Sequence, residues 1–173
     1  MIYFSSENLV IRSMNELDIQ TIVDEFKNQG WNRDKESLVK YYKQQEGKER
    51  YVLIAELDGS VAGYLTLIQE TLEGPFANKG IPEVVDFNVF TKYQRIGIGN
   101  KLMDTVENLA SKHSDKISLA VGLHYGYGTA QRMYVKRGYI PDGSGVWYQN
   151  KQLEQYYPCI NDDDLVLYMI KLL

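Results

Sequence analysis

The chain has a single cysteine, Cys159, in 173 residues. No internal disulfide can form, and a reducing compartment is the natural setting. With no histidine beside it in sequence, Cys159 reads as a packing residue rather than a nucleophile. A run of about 18 apolar residues is also missing, so no membrane span is expected. The opening Met1-Ile-Tyr-Phe-Ser-Ser-Glu7 lacks the charged start and apolar core of a secretory signal. The expected location is therefore cytoplasmic. Positive charge is short, with 19 Lys and Arg against 23 Asp and Glu and a formal net charge of −4. That balance argues against nucleic acid or an anionic membrane surface as partner, and suits a cationic substrate. The triplet Asp162-Asp163-Asp164 is a poor metal site, because adjacent residues cannot all converge on one ion; it reads as a solvated turn, and no metal is expected. There is no repeat, linker or low-complexity tract, so residues 1–173 read as one domain with a full core.

What the chain does have is ordered punctuation. Asn8–Arg12 reads as a first strand. Ser13-Met14-Asn15-Glu16 reads as a capping box with Ser13 as the cap. Ile19, Ile22, Val23 and Phe26 mark a helical face that ends at Gly30. A second helix is expected from about Asp34 to Gln45, with Leu38, Tyr41 and Tyr42 on its apolar side. The β-rich runs 51–57 and 61–68 flank Asp58-Gly59, a strong hairpin signal. The stretch 70–82 holds Gly74, Pro75, Gly80 and Pro82 and is long for a connection, which suggests one wall of a pocket. A strand over 83–90, a helix over 100–112, a strand over 117–121 and a helix over 127–137 follow. Strands near 145–149 and 165–170 close the chain. The order predicts an α/β (α+β) fold with a central mixed sheet and flanking helices.

The most informative stretch is Tyr93-Gln94-Arg95-Ile96-Gly97-Ile98-Gly99-Asn100. Gly97 and Gly99 remove side chains where a strand turns into a helix, so backbone N–H groups can converge on an anion. The helix N-terminus favours negative charge, and Arg95 and Lys101 stand beside it. It lacks the Gly-Lys-Ser/Thr ending of a P-loop and the third glycine of a dinucleotide fingerprint. A glycine-rich turn without a ligand is the alternative.

The spacing Gln94-x-x-Gly97-x-Gly99 resembles the pyrophosphate loop of the GNAT N-acetyltransferases. Val89 stands five residues before Gln94, as in that family, although Thr91 replaces a frequent proline. Farther on, Ala130, Tyr134, Gly138 and Tyr139 match the family pattern of a late helix and the turn after it. Tyr127 replaces the usual asparagine, so that residue's contact to CoA is not carried over. The matching motifs cover roughly residues 83–140.

The resemblance implies a GNAT fold of six or seven mostly antiparallel strands with about four helices. It also implies acetyl-CoA as cofactor and transfer of its acetyl group to a primary amine in a ternary complex. In such a fold the strand over 83–90 splays from the next one and pantetheine inserts between them. The cofactor-binding residues implied are Phe87, Val89, Gln94, Arg95, Ile96, Gly97, Ile98, Gly99, Asn100, Lys101, Ala130 and Tyr134, with backbone N–H near Val89 meeting the thioester oxygen. Tyr134 is the implied general acid toward the departing thiolate; a core tyrosine is the alternative. Glu83 is the candidate base, Asp86 lies on the opposite strand face by alternation, and His124 and Tyr125 are reserves. His113 reads as an exposed helix-end residue. Trp31, Tyr64, Asp86, loop 70–82 and residues 142–148 are candidate acceptor walls, and aromatic walls with carboxylates suit a cation. A small-molecule amine is the expected acceptor. A protein N-terminus or lysine, or a CoA sensor without turnover, are the alternatives. Homodimerisation is compatible with the pattern.

Overall fold

Alternating apolar residues build the strands of the computed structural model, which describes residues 1–173 in two units. The first unit is Met1–Ile68 with Val85–Leu109. It contains β1 (Ile2–Ser5), β2 (Leu9–Ser13), α1 (Glu16–Asn28), α2 (Lys35–Glu46), β3 (Arg50–Leu57), β4 (Ser60–Ile68), most of β5 (Glu83–Val89) and nearly all of α3 (Ile98–Ala110). Strand order runs β1-β2-β3-β4-β5, antiparallel from β1 to β4. Asp58 and Gly59 both have positive φ, 48° and 75°, the signature of a two-residue I′ turn matched to strand twist. Ile19, Ile22 and Phe26 of α1 and Leu38 of α2 pack on Val52, Ile54, Tyr64 and Phe90. Each such side chain contributes about 1.5–3 kcal/mol by leaving water.

Two helix starts differ from the sequence expectation. Asn15, not Ser13, caps α1. Ser13 is the last residue of β2, in register with Leu53. The Asp18 carboxylate accepts from the Asn15 N–H at 2.7 Å and from Arg12 at 2.6 Å, so the box sits where one acid can serve both the helix end and the strand's arginine. Helix α3 begins at Ile98 rather than at 100, because the positive φ of Gly97 (94°) completes the turn and Ile98 is already buried. The end of α1 at Gly30, with φ 78°, is as expected.

The second unit is Gln69–Val84 with Ala110–Leu173. It contains the loop 69–82, the start of β5, β6 (Lys116–Gly122), α4 (Gly128–Lys136), β7 (Ile140–Tyr148), β8 (Lys151–Gln152) and β9 (Leu165–Leu172). Strand order is β5-β6-β9-β7-β8. The start of β5 pairs parallel with β6 at Glu83↔Ser118 and Val84↔Leu119, while β6–β9, β9–β7 and β7–β8 are antiparallel. The chain therefore has four α-helices and a mixed, mostly antiparallel set of strands. There are nine strands where six or seven were expected. β1 is four residues, too short to show alternation. β8 is two residues beyond a turn at Gln149 and Asn150, whose φ values of 49° and 61° make an I′ hairpin without a glycine to announce it.

Candidate active site

The glycine loop is built by the end of β5. Phe90 N–H bonds Ala62 O at 3.0 Å, and a 3-10 turn over Thr91–Tyr93 reverses the chain. Gly63 permits the close approach of β4 and β5, since a Cβ there would lie 2.5 Å from Asn88 O. Gln94 folds back so that its Nε2 donates to Val89 O at 2.9 Å, tying the loop's mouth to the strand. Arg95 (φ 65°) and Gly97 (φ 94°) are left-handed and alternate with ordinary residues, an arrangement that turns successive N–H groups to one side. Lys101 N–H is bonded to Gly97 O at 3.1 Å, so α3's own ladder starts there, and the amides of Ile98 and Gly99 belong to the open first turn. A Cβ on Gly97 would meet nothing within 4 Å, so the space above the loop is open. These features fit a pyrophosphate. Arg95 is exposed and pairs with no carboxylate. The Lys101 ammonium lies 4.1 Å from the Phe4 ring centroid and 3.9 Å from Asp104, rather than over the loop's amides.

Beside the loop's strand lies a polar network. Asp86 has φ 54°, a left-handed non-glycine residue inside β5, which interrupts the simple alternation used to place it opposite Glu83. Such a conformation costs about 1–3 kcal/mol and persists when its surroundings fix it. Here the carboxylate accepts from Tyr64 OH at 2.8 Å, from Asn88 Nδ2 at 2.9 Å, and from Arg33 in an ion pair. The Arg33 guanidinium is 5.8 Å from the Tyr41 ring centroid and 5.9 Å from those of Phe26 and Tyr64. Burial, then the Asp86 charge, pushes the Tyr64 hydroxyl well above the usual tyrosine range. Tyr64 is fully buried with its hydroxyl committed to Asp86, so it is a member of this network rather than an open wall. Trp31 is 58% exposed and tilts over Phe26 with centroids 6.2 Å apart.

In the second unit Glu83 is 8% exposed, a buried carboxylate rather than a solvent-facing strand end. Its register partner Ser118 donates both N–H (2.8 Å) and Oγ (3.1 Å) to Pro82 O. Tyr134 on α4 is buried and lies edge-on to Tyr139 at 5.8 Å. Burial pushes its pKa well above the usual value, with the nearby Tyr127 adding to the shift. Ala130 lies half-buried one turn earlier. His124 is spoken for. Its Nδ1 accepts from Gly126 N–H at 3.0 Å, so Nε2 carries the hydrogen toward Asp163 Oδ1 at 2.9 Å. Tyr127 OH donates to the same oxygen at 2.9 Å and its ring lies 4.7 Å from that of His124. Asp163 is exposed in its turn, as expected, and these two contacts hold its carboxyl below the usual range, His124 contributing most. Tyr125 is almost wholly exposed.

A family model described as the acetyltransferase (GNAT) domain matches residues 16–151. The chain belongs to the GNAT acetyltransferase family. No curated protein sequence matches it. Among solved structures, an acetyltransferase from Salmonella typhimurium, described as modifying the N-terminal serine of ribosomal protein L7/L12, is similar over 100% of this chain and 99% of its own, at 11% identity and TM-score 0.74. YncA from the same organism, described as a putative acetyltransferase with its cofactor acetyl-CoA, aligns over 96% and 94% at 15% identity and TM-score 0.69. Ard1 from Thermoplasma volcanium aligns over 95% and 97% at 17% identity and TM-score 0.68. At these identities the likeness is one of fold.

In this acetyltransferase the structure puts Gln94 to Asn100 in one turn and Glu83 and Tyr134 in buried positions. Sequence reading passed over Arg33 and Asn88, which carry no motif and are found only through Asp86.

Proposed function

We propose that this acetyltransferase moves the acetyl group of acetyl-CoA onto a primary amine of a small molecule, by direct attack within one domain spanning residues 1–173. The loop amides around Arg95 to Asn100 hold pyrophosphate, with Gln94 fixing the loop's mouth. Phe87, Val89 and Ala130 flank the pantetheine arm, and backbone N–H near Val89 meets the negative charge that develops on the thioester oxygen. Glu83 takes the proton that the amine loses as its nitrogen bonds the acetyl carbon and the carbon–sulfur bond breaks. Tyr134 donates its hydrogen toward the sulfur that leaves. An ordinary tyrosine lies about 1.5 pK units above an ordinary thiol, and burial widens that gap, so Tyr134 works by hydrogen bonding to the sulfur more than by full transfer. Asp86, tied to Arg33, Tyr64 and Asn88, positions β5 rather than moving protons. Trp31 is left as a candidate acceptor contact.

The observation that carries the small-acceptor reading is the fold of loop 69–82. Phe76 is buried edge-on to Tyr168 at 6.1 Å, Asn78 N–H bonds Thr71 O at 2.9 Å, and Gly74 comes so close to Tyr168 that a Cβ there would lie 2.6 Å from the hydroxyl. A loop packed this way offers a fixed wall, which supports a small acceptor over a long peptide. A second reading, acetylation of a protein N-terminus, is favoured by the ribosomal-protein acetyltransferases among the similar folds. Thiol release from acetyl-CoA, compared between a panel of small primary amines and a panel of short peptides with free N-termini, separates the two. Release with amines and none with peptides is expected; release with peptides alone would overturn the small-acceptor reading.

A further inference from the structure

Helix α1 ends in a tightly fixed turn. Gly30 N–H bonds Lys27 O at 3.0 Å and Trp31 N–H bonds Phe26 O at 3.0 Å, the two bonds of a Schellman motif, and the Trp31 ring tilts back onto Phe26. Gln29, the C-cap, is set in place by this ending, with its own N–H on Phe26 O at 3.1 Å. Its side chain leaves the helix and reaches the turn at Thr91. One atom, Gln29 Oε1, accepts both Thr91 N–H at 2.6 Å and the Thr91 hydroxyl at 2.7 Å.

The same turn of α1 makes neighbouring contacts. Glu25, four residues before Gln29 and so on the same side of the helix, pairs with Lys92 at 2.8 Å. Phe26 packs edge-on against Phe90 with centroids 5.7 Å apart. Glu25, Phe26 and Gln29 therefore hold Lys92, Phe90 and Thr91, the residues that carry the chain from β5 into the glycine loop.

That 3-10 turn has few bonds of its own. Tyr93 N–H reaches Phe90 O at 2.8 Å, and Gln94 N–H reaches Thr91 O at a long 3.3 Å. Short 3-10 turns have poor hydrogen-bond geometry. The Lys92 ammonium is 55% exposed, so solvent screens its ion pair. The Phe26–Phe90 contact sets a distance but no direction. Gln29 supplies the directional bonds, and they fall two residues before Tyr93 and three before Gln94, where the loop begins.

We propose that Gln29 is a positioning residue for cofactor binding: its amide oxygen, clamped on Thr91, holds the turn that presents the loop amides from Arg95 to Asn100. This role rests on the reading of that loop as the pyrophosphate seat, and Gln29 acts on the cofactor through Thr91 rather than by contact.

The geometry also supplies a rescue. Thr91 opens a 3-10 turn, where φ is about −60°. Phe90 before it has φ −62° and ψ 142°. These are the angles that proline takes and that it imposes on the residue before it. A proline at 91 presets the turn without the clamp, and the N–H it lacks is the one that Gln29 receives.

The test is calorimetric titration with CoA, together with thermal unfolding, of the unmodified protein, Gln29→Ala, Gln29→Ala combined with Thr91→Pro, and Gly30→Ala. Gln29→Ala is expected to weaken CoA binding about tenfold, as the turn is then formed about one-tenth of the time. Adding Thr91→Pro is expected to bring Kd back to within about threefold of the unmodified protein. Gly30→Ala strains the same helix end, at φ 78° with open space around it, but keeps the Gln29 oxygen; it is expected to lower Tm with CoA affinity unchanged. Unchanged CoA affinity in Gln29→Ala, or a loss that Thr91→Pro does not repair, would overturn the clamp. Gly97→Ala separates this from the loop reading. A CoA defect in Gly97→Ala with none in Gln29→Ala removes the clamp and leaves the seat. Normal CoA binding in Gly97→Ala removes the seat, and the clamp's role with it.

Discussion

Gly97→Ala separates a loop kept for its ligand from a loop kept for its turn. Gly97 has φ 94°, and an added Cβ would meet no protein atom within 4 Å. The cost to the folded chain is therefore backbone strain alone, about 1–2 kcal/mol. In a chain of this size that lowers Tm by about 2–8 °C. The open space over Gly97 is where the pyrophosphate is expected to sit. A methyl group there, or a shift of the loop to relieve φ, breaks charge-assisted N–H contacts worth about 1.5–3 kcal/mol each. Loss of two weakens CoA binding by at least about 100-fold. Gly30→Ala is the matched control, because Gly30 (φ 78°) is equally open and lies at the end of α1. Calorimetry with CoA and thermal unfolding on both variants give the answer. Similar Tm losses with a CoA defect confined to Gly97→Ala are expected. Binding within twofold of the parent in Gly97→Ala would refute the assignment of the loop.

Gly122→Ala is expected to destabilise by about 1–3 kcal/mol, because the added methyl would lie 2.3 Å from the Tyr127 ring, which Asp163 and His124 hold in place; denaturant unfolding measures it. Stability is also expected to depend on alkaline pH through Tyr168. Its folded pKa is raised, first by burial, from about 10 to about 12. That contribution is full below pH 10 and is lost as pH climbs toward 12, so the guanidinium midpoint should fall across this window and fall less in Tyr168→Phe.

The elements most legible in the sequence were those with strict punctuation. Asp58-Gly59 announced the β3–β4 hairpin, Gly30 the end of α1, and Gln94-x-x-Gly97-x-Gly99 the turn into α3. What stayed hidden depended on long-range contact. Asp18 caps α1 because it also holds Arg12 on β2, a choice between Ser13 and Asn15 that local pattern does not decide. Asp86 lies in a left-handed kink that only Arg33, from 53 residues away, and Tyr64 explain. Counting alternate residues along β5 assumes a regular strand, which the left-handed Asp86 interrupts. Asp163 is exposed in its turn as the triplet suggested, while its partners His124 and Tyr127, far along the chain, gave no local signal.

The reaction proposed for this chain is transfer of acetyl from acetyl-CoA to an amine with Tyr134 at the departing sulfur. The direct measurement is the rate of thiol release with a small primary amine, for the unmodified protein and for Tyr134→Phe. The substitution keeps the buried ring and its edge contact to Tyr139, so it should leave the fold intact, and kcat should fall by about 10²-fold or more with KM for acetyl-CoA little changed. An unchanged kcat in Tyr134→Phe, or no amine-dependent release from the unmodified protein, would contradict it.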